Sequence, residues 1–242
     1  MAGAMSTRFY VDSPIAGPTA TLAGAEAHHL LHVMRAEVGD RVVLFDGSGL
    51  EYQARVAALA RSTVELAVLS SETVDRELAR RVTLGVALPK GDRRRWLVEK
   101  LVELGVARLV PLETARSVAQ PSTAALARLH RTVVEASKQC GRNRLMEISE
   151  PCTWADYVSD APELNEERDS RRLMAHPGAT PAGELDLQGA KSVRLAVGPE
   201  GGFDDEEISM ATATGWEQVG LGPRILRIET AAVTLAALMA MH

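Results

Sequence analysis

Residues 197–203 have the sequence Val-Gly-Pro-Glu-Gly-Gly-Phe, and residues 221–231 have the sequence Leu-Gly-Pro-Arg-Ile-Leu-Arg-Ile-Glu-Thr-Ala. Each of these stretches follows a short apolar run and precedes a helical pattern. The run at 193–197 has the length and the β-branched residues of a buried strand, and the run at 216–221 has a weaker strand pattern. A strand, a glycine turn and a helix in succession are typical of α/β proteins, which bind ligands at the carboxyl ends of their strands. We therefore expect a ligand-binding cleft at these two turns.

The helical patterns after the two turns have recognisable features. Asp204 stands at an N-cap position with Glu207 three residues later, which predicts a capping box, and Gly215 is placed to end the same helix. The segment from Thr230 to Met241 is almost wholly apolar. We therefore expect its helix to be buried on most sides.

Neither turn has the sequence of a standard phosphate-binding loop. No G-x-G-x-x-G follows a predicted strand, and the chain contains no G-x-x-x-x-G-K-[ST]. Glycines instead allow the backbone to come close to a flat, neutral or cationic ligand and to donate main-chain hydrogen bonds to it.

Composition indicates a globular chain with room for one large or two modest domains, since 46% of its 242 residues are hydrophobic and 24% are charged. We find neither an apolar run long enough to span a membrane nor a secretory signal, and Cys140 and Cys152 form neither a metal spacing nor a disulfide framework. We therefore expect a cytoplasmic protein without membrane contact. The net charge of −5 argues against a nucleic-acid coat protein but permits contact through local basic stretches.

The first seventy residues predict a small, closed β-barrel with one helix inserted. Short strand patterns stand at 8–11, 41–45, 51–59 and 64–69, and residues 25–35 have helical spacing. A polar segment at 70–81 predicts a linker to a second domain. There, strand, helix and strand patterns at 82–88, 96–104 and 107–111 form a βαβ unit and predict a parallel sheet with helices on both faces.

His28, His29 and His32 form a histidine cluster in the predicted N-terminal helix. A metal site is the alternative to ordinary packing and hydrogen bonding for these side chains. No acidic or cysteine ligand stands at helical spacing to complete a coordination shell, so we predict no metal here.

Together, G-P-E-G-G-F and L-G-P-R-I-L-R-I-E-T-A closely resemble motifs of the RsmE family, the 16S ribosomal RNA uracil-N3 methyltransferases of the SPOUT superfamily, which use S-adenosylmethionine. Three further patterns match: H-H-L-x-x-V-x-R-x-x-x-G-D from His28, K-x-x-E-L-G-V from Lys100, and E-A-x-x-Q-x-x-R from Glu135. The resemblance implies a PUA-like RNA-binding β-barrel domain at 1–72 and a SPOUT methyltransferase domain at 80–242. It also implies a C-terminal trefoil knot and a homodimer that acts on the small ribosomal subunit.

The resemblance further implies three loops that surround the cofactor, at 173–177, 198–202 and 221–226. The predicted cofactor-binding residues are Leu173, His176, Pro177, Gly198, Pro199, Glu200, Gly201, Gly202, Leu221, Gly222, Ile225, Leu226, Thr230 and Ala231. The predicted RNA contacts are Arg8, Arg35, Lys90, Arg93, Arg116, Gln139 and Arg142.

Methylation of uracil N3 requires removal of a proton, because this nitrogen is a weak acid that is mostly protonated at neutral pH. We predict that Arg227 stabilises the developing anion and that Glu229 accepts the proton. The alternative role for Glu229 is that of an ordinary acidic residue in the first turn of a helix. Since N3 is buried in base pairing, the target nucleotide should be unpaired or flipped out.

Two other functions stay open at this stage. A ribose 2′-O-methyltransferase of the same superfamily would share the G-P-E-G-G motif, although the PUA-like region and the second motif favour uracil N3. A non-catalytic RNA-binding assembly factor would keep the fold, but the retained glycines and Arg227 favour an enzyme.

Overall fold

The computed structural model describes residues 7–117, 121–160 and 169–241. The chain forms two compact units. The first comprises Met1–Glu77 and Val134–Leu145, and the second comprises Leu78–Val133 and Met146–His242. Residues 1–6, at the start of the predicted first domain, and residue 242 lie outside the described residues.

The first unit contains a five-stranded sheet with the order β1-β3-β4-β5-β2. Its strands are β1 (Arg8–Tyr10), β2 (Thr19–Ala23), β3 (Arg41–Phe45), β4 (Leu50–Leu59) and β5 (Thr63–Thr73). Strands β1 and β3 are parallel, and the other neighbours are antiparallel. The small β domain that the sequence predicts is therefore present. The prediction that a linker begins at Ser70 is wrong, because β5 continues to Thr73 and pairs with β4 over this stretch.

The helix predicted at 25–35 is α1 (Gly24–His28), followed directly by a π-helical turn at His29–Val33. Arg35, just beyond this turn, has a φ of 53°, in the left-handed region that non-glycine residues seldom adopt. The apolar core of this unit includes Phe9, Leu22 and Leu44.

Buried ion pairs join segment 134–145 to the rest of the first unit. Arg142 is only 3% exposed and is paired with Glu77. Arg8 is paired with Glu51 and donates a hydrogen bond of 2.7 Å to Asn143 Oδ1. Because a buried charge is costly unless it is paired, these contacts fix the segment where it lies.

The second unit contains a parallel sheet with the order β12-β10-β11-β6-β7-β8, to which β9 is added beside β7. Its strands are β6 (Arg81–Val86), β7 (Arg108–Glu113), β8 (Glu147–Ile148), β9 (Cys152–Thr153), β10 (Ser170–Ala175), β11 (Ser192–Val197) and β12 (Glu217–Val219). The predicted α/β class with a parallel sheet is confirmed.

Five further helices complete the described chain: α2 (Asp92–Glu103), α3 (Thr123–Cys140), α4 (Trp154–Ser159), α5 (Asp205–Ala213) and α6 (Ile228–Met241). Residues of α3 from Val134 onward belong to the first unit. A 3₁₀ turn lies at Ala182–Glu184. No helix of the described residues is long and apolar enough to cross a membrane.

Both faces of the parallel sheet are covered. Leu195 and Ala196 are successive residues of β11, so they point to opposite faces, and neither is exposed to solvent. On one face, Gly85 leaves room for Tyr157 of α4, since a Cβ atom at Gly85 would lie 2.7 Å from the tyrosine ring. The Tyr157 hydroxyl donates a hydrogen bond of 2.9 Å to the Leu195 carbonyl, and burial raises the pKa of this phenol to about 12.

The predicted capping box of α5 is confirmed, because the Asp204 carboxylate accepts from the Glu207 N–H and the Glu207 carboxylate accepts from the Asp204 N–H. Helix α6 begins at Ile228 and fully buries only one face. The prediction that it is buried on most sides is confirmed from Ala231 to Met239, where every residue is buried or half-buried. Val233 and Leu238 are half-buried, and Met241 is 81% exposed.

We expect Glu51→Gln to destabilise the first unit by about 3 kcal/mol at pH 7, because it leaves the buried Arg8 guanidinium without its charged partner. Burial alone would raise the pKa of the Glu51 carboxyl, but hydrogen bonds and charge from Arg8 and Arg76 hold it below its usual value. A group with a lowered pKa in the folded state stabilises that state above its unfolded pKa of about 4.3, and this contribution is lost as the pH falls through the folded pKa.

The measurement is urea denaturation of both proteins at pH 7 and at about pH 3, where the difference between them should shrink. The matched control is Glu65→Gln, which removes an exposed carboxylate from β5 of the same unit. An equal loss at both pH values would contradict the proposed role of the ionised carboxylate.

Candidate active site

Three loops at the carboxyl ends of β10, β11 and β12 enclose a cavity of about 310 Å³. Parallel pairing brings these strand ends to the same edge of the sheet. The cavity is lined by Ala175, His176, Pro177, Val197, Gly198, Pro199, Glu200, Gly201, Gly202, Phe203, Leu221, Gly222, Arg224, Ile225, Leu226, Ile228 and Ala231.

The structure brings most of the predicted cofactor-binding residues into this lining. Leu173 does not belong to it, because it is fully buried inside β10. Thr230 is exposed on α6 and also lies outside the lining. The prediction missed Ala175, Val197, Phe203, Arg224 and Ile228, which are sequence neighbours of predicted residues and could have been found by extending each loop by one or two positions.

The loop that follows β11 turns tightly at its glycines. The Gly202 N–H donates a hydrogen bond of 2.8 Å to the Pro199 carbonyl, and Gly202 has a φ of 69°. A Cβ atom at Gly198 would lie 3.1 Å from the Phe203 ring, so a larger residue would push this ring aside. The glycines thus keep the backbone at the cavity wall bare of side chains.

Two arginines from other segments of the chain contact the 198–202 loop. The Arg116 side chain donates a hydrogen bond of 2.6 Å to the Gly201 carbonyl. Arg93 of α2 lies 3.6 Å from a carboxylate oxygen of Glu200. Below them, the buried Glu207 carboxylate accepts a hydrogen bond of 2.8 Å from the Ala115 N–H, so the loop after β7 is also fixed to the start of α5.

A second cavity, of about 320 Å³, adjoins the first, and both are lined by Pro199 and Glu200. Its lining consists of Ala87, Leu88, Pro89, Lys90, Arg93, Leu112, Ser117, Pro199 and Glu200. The loop after β6 is held by Arg94, whose Nε donates a hydrogen bond of 3.1 Å to the Pro89 carbonyl. Burial lowers the pKa of the Arg94 guanidinium.

The two predicted catalytic residues occupy different environments. Glu229, in the first turn of α6, is only 7% exposed, and its Oε2 has no hydrogen-bond partner among the described residues. The nearest cation is Arg93, whose Nη1 lies 3.6 Å from this oxygen. Arg227 is exposed and lines neither cavity. The sequence therefore missed Arg93 as the ionic partner of Glu229.

The predicted RNA contacts also fall into separate groups. Lys90 and Arg93 line the second cavity, and exposed Arg116 contacts the loop that separates the two cavities. Arg35 and Gln139 are exposed on the first unit. Arg8 and Arg142 form internal ion pairs with Glu51 and Glu77 in that unit, and their charged groups are largely buried. These contacts do not support the prediction that the two arginines bind phosphate.

No group of three or more histidine, cysteine or acidic side chains suited to a metal ion occurs within residues 7–117, 121–160 and 169–241. The rings of His28 and His32 contact each other, with centroids 4.7 Å apart.

The first cavity fits the cofactor that the resemblance implies. Apolar side chains of all three loops suit a flat ring, and the bare backbone of the glycine loop can donate hydrogen bonds to it. Glu200 is the sole carboxylate in the lining, and its side chain, which lies 3.6 Å from Arg93, is about half exposed.

Two known protein families match most of the chain. The RNA methyltransferase domain family matches residues 76–240, and the RNA methyltransferase PUA domain family matches residues 22–69. Ribosomal RNA small subunit methyltransferase E of Synechocystis is 37% identical over 215 residues, which are 88% of this chain and 70% of that protein.

Two solved structures are similar over almost the whole chain. The same-named enzyme of Neisseria gonorrhoeae, bound to S-adenosyl methionine, has a TM-score of 0.88 and 29% identity, and the match covers 98% of this chain and 97% of that one. A methyltransferase of Legionella pneumophila with bound SAM has a TM-score of 0.86 and 31% identity, and the match covers 97% and 96% of the two chains.

We expect Gly201→Val to weaken binding of S-adenosylmethionine at least tenfold, or by about 1.4 kcal/mol. A Cβ atom at Gly201 would lie 3.2 Å from the Arg116 side chain, and the two methyl groups of valine would displace the loop or enter the cavity. The measurement is isothermal titration calorimetry. Gly183→Val is the matched control, since Gly183 is exposed with no atom near its Cβ position. Unchanged affinity in Gly201→Val would exclude this loop as part of the cofactor site.

Proposed function

Because this chain belongs to the RNA methyltransferase family that includes the ribosomal RNA small subunit methyltransferases E, we propose that it methylates N3 of a uridine in the 16S RNA of the small ribosomal subunit. The methyl donor is S-adenosylmethionine, which is bound in the similar structures from Neisseria gonorrhoeae and Legionella pneumophila. The observation that carries the proposal is the shared wall at Pro199 and Glu200, which joins a glycine-lined cavity to a basic one.

S-adenosylmethionine, when bound, supplies a methyl group on a positively charged sulfur. The loops at 175–177, 197–203 and 221–226 would hold it, and the backbone of these loops would read its adenine. The remaining task of the protein is to bind the uridine beside this site and to remove the N3 proton, because only the deprotonated nitrogen is a good nucleophile.

We propose Glu229 as the proton acceptor. Its carboxylate is buried, and one oxygen lacks a hydrogen-bond partner among the described residues, so it can accept a proton from a group brought next to it. The proton leaves N3 for this carboxylate and later passes to water. Arg227 is exposed, whereas Arg93 lines the second cavity and lies 3.6 Å from Glu229 Oε2, so Arg93 is the cation that we propose for the negative charge that develops on the base.

We further propose a homodimer, as the resemblance implies. Helices α2 and α6 pack against each other, and both leave apolar side chains open to solvent: Trp96 is 44% exposed and Met241 is 81% exposed. These exposed side chains are available to a second copy of the chain, which supports the proposal.

The trefoil knot stays a prediction, and one close approach of the backbone supports it. The Gly220 N–H donates a hydrogen bond of 2.7 Å to the Thr180 carbonyl, and the Ala182 N–H donates one of 2.9 Å to the Gly220 carbonyl. A Cβ atom at Gly220 would lie only 2.4 Å from the Ala179 carbonyl oxygen. Segment 179–182 is therefore packed directly on the chain before the second motif.

The decisive experiment is methyl transfer from labelled S-adenosylmethionine to small ribosomal subunits that lack the modification. The product nucleoside is then identified by mass spectrometry. We expect 3-methyluridine. A 2′-O-methyl nucleoside would keep the cofactor and the fold but refute the target atom, and absence of transfer with intact cofactor binding would refute this RNA as the substrate.

We expect Glu229→Gln to lower the rate of methyl transfer by about 10²- to 10⁴-fold, the usual contribution of a general base. Cofactor affinity should change less than twofold, because Glu229 does not line the first cavity. N3 loses its own proton at alkaline pH, so the rate of the variant should rise more steeply with pH than that of the native enzyme.

The control for this variant is Glu206→Gln, which removes an exposed carboxylate from the first turn of α5. Native rates in Glu229→Gln would show that another group takes the proton, with Glu200 as the next carboxylate to test.

A further inference from the structure

We propose that the second cavity is the subsite for the target uracil, with the Lys90 ammonium and the Arg93 guanidinium at the carbonyl oxygens that flank N3. This inference rests on the proposed function and deepens it.

The first argument is geometric. A nucleophile must approach the methyl carbon in line and within roughly 3–3.5 Å, so the base must bind in a space that adjoins the cofactor cavity. Two described cavities do so. The second shares Pro199 and Glu200 with the first, and a third, of about 390 Å³, shares Pro177, Gly222, Arg224 and Ile225 with it.

The side chains that line them distinguish the second cavity from the third. The third cavity has one charged side chain, Arg224, and is otherwise lined by glycine, proline, alanine and isoleucine. The second cavity combines two cations, a carboxylate and a hydroxyl with apolar walls. Its volume of about 320 Å³ is at the lower end of the range of roughly 300–1,000 Å³ for small-molecule sites, which suits a single pyrimidine ring.

Lysine and arginine side chains can only donate hydrogen bonds. Uracil carries a carbonyl oxygen on each side of N3, and both oxygens share the negative charge once N3 has lost its proton. Cations placed at these oxygens would therefore bind the base and stabilise the anion at the moment it forms. Cytosine carries an amino donor at one of the two positions and so fits this lining less well.

The charges in the second cavity are not equally available. Arg93 lies 3.6 Å from both Glu200 and Glu229, so it already has acidic partners. Ser117 is engaged in a turn, where its Oγ accepts a hydrogen bond of 3.0 Å from the Thr114 N–H. Lys90 is exposed and forms no ion pair with the described residues. It is the cation in this lining most available to a ligand.

The remaining walls suit the flat faces of a base. Leu88, Pro89, Leu112 and Pro199 present apolar surface, and a nucleotide taken out of its stack needs such surface to replace the lost contacts. Glu229 does not itself line this cavity, but its Oε2 lies 3.6 Å from Nη1 of Arg93, which does, so the proposed proton acceptor is close to a side chain of the proposed base site.

The test measures binding of uridine and of cytidine by ligand-observed NMR, with the protein saturated with S-adenosylhomocysteine. Nucleosides are used instead of nucleotides so that a phosphate cannot satisfy the cations. We expect uridine to bind better than cytidine, and Lys90→Ala to weaken uridine binding about tenfold or more, the loss expected for a charge-assisted hydrogen bond. The conservative variant Lys90→Arg should retain much of the affinity for uridine that Lys90→Ala loses.

Arg95→Ala is the matched control, because it removes an exposed cation from α2 outside the lining. Native uridine binding in Lys90→Ala, together with weaker binding of whole RNA, would reduce Lys90 to a phosphate contact and overturn the proposal. Loss of uridine binding in Arg224→Ala but not in Lys90→Ala would place the base in the third cavity and also overturn it. Equal binding of cytidine would refute the proposed selection of uracil.

A second readout separates this inference from the proposed function. We expect the rate of methyl transfer in Lys90→Ala to reach its maximum at higher pH than in the native enzyme, with unchanged affinity for S-adenosylmethionine. If the native product is a 2′-O-methyl nucleoside while Lys90→Ala still loses uridine binding, the target atom is refuted and the subsite stands. If 3-methyluridine forms and Lys90→Ala behaves as native protein in both assays, the function stands and the subsite is refuted.

Discussion

Parallel strand pairing is the constraint on which the second unit depends. Because its strands run in one direction, their carboxyl ends meet at a single edge of the sheet, and the loops after β6, β7, β10, β11 and β12 all begin there. Three of these loops form the first cavity, while residues from the β6, β7 and β11 ends and from α2 line the second. The two cavities adjoin because β6 and β11 are neighbours in the sheet.

At this edge of the sheet, arginine side chains position the glycine-rich backbone of the 198–202 loop. A loop such as 198–202 has few side chains with which to hold itself, so contacts from other segments must define its position. Arg116 does so by a hydrogen bond to a carbonyl, and Arg93 by an ion pair. Arg93, which lies 3.6 Å from both Glu200 and Glu229, links this loop to the start of α6. Two basic residues that were expected to bind only RNA therefore also shape the first cavity.

Much of the fold and of the first cavity could be predicted from the sequence, because short local motifs specify them. The capping box at Asp204, the parallel sheet and most of the cavity lining follow from short motifs. The ion pairs could not be predicted, because the two partners of each pair are distant in sequence. Arg8 and Glu51 are 43 residues apart, and Arg142 and Glu77 are 65 residues apart. No periodicity specifies such a pair. For the same reason, the sequence assigned the cationic role beside Glu229's proton-accepting role to Arg227, whereas the cation that lies 3.6 Å from Glu229 in the fold is Arg93.

The first unit is built from two separate segments of the chain, and this affects how it can fold during synthesis. Its strands end at Thr73, yet it also requires segment 134–145, which supplies Arg142 to Glu77 and Asn143 to Arg8. A nascent chain that has left the ribosome only as far as β7 therefore holds acidic and basic groups whose partners have not been made. The first unit can therefore reach its final form only after residues 78–133 of the second unit and its own segment 134–145 have been synthesised.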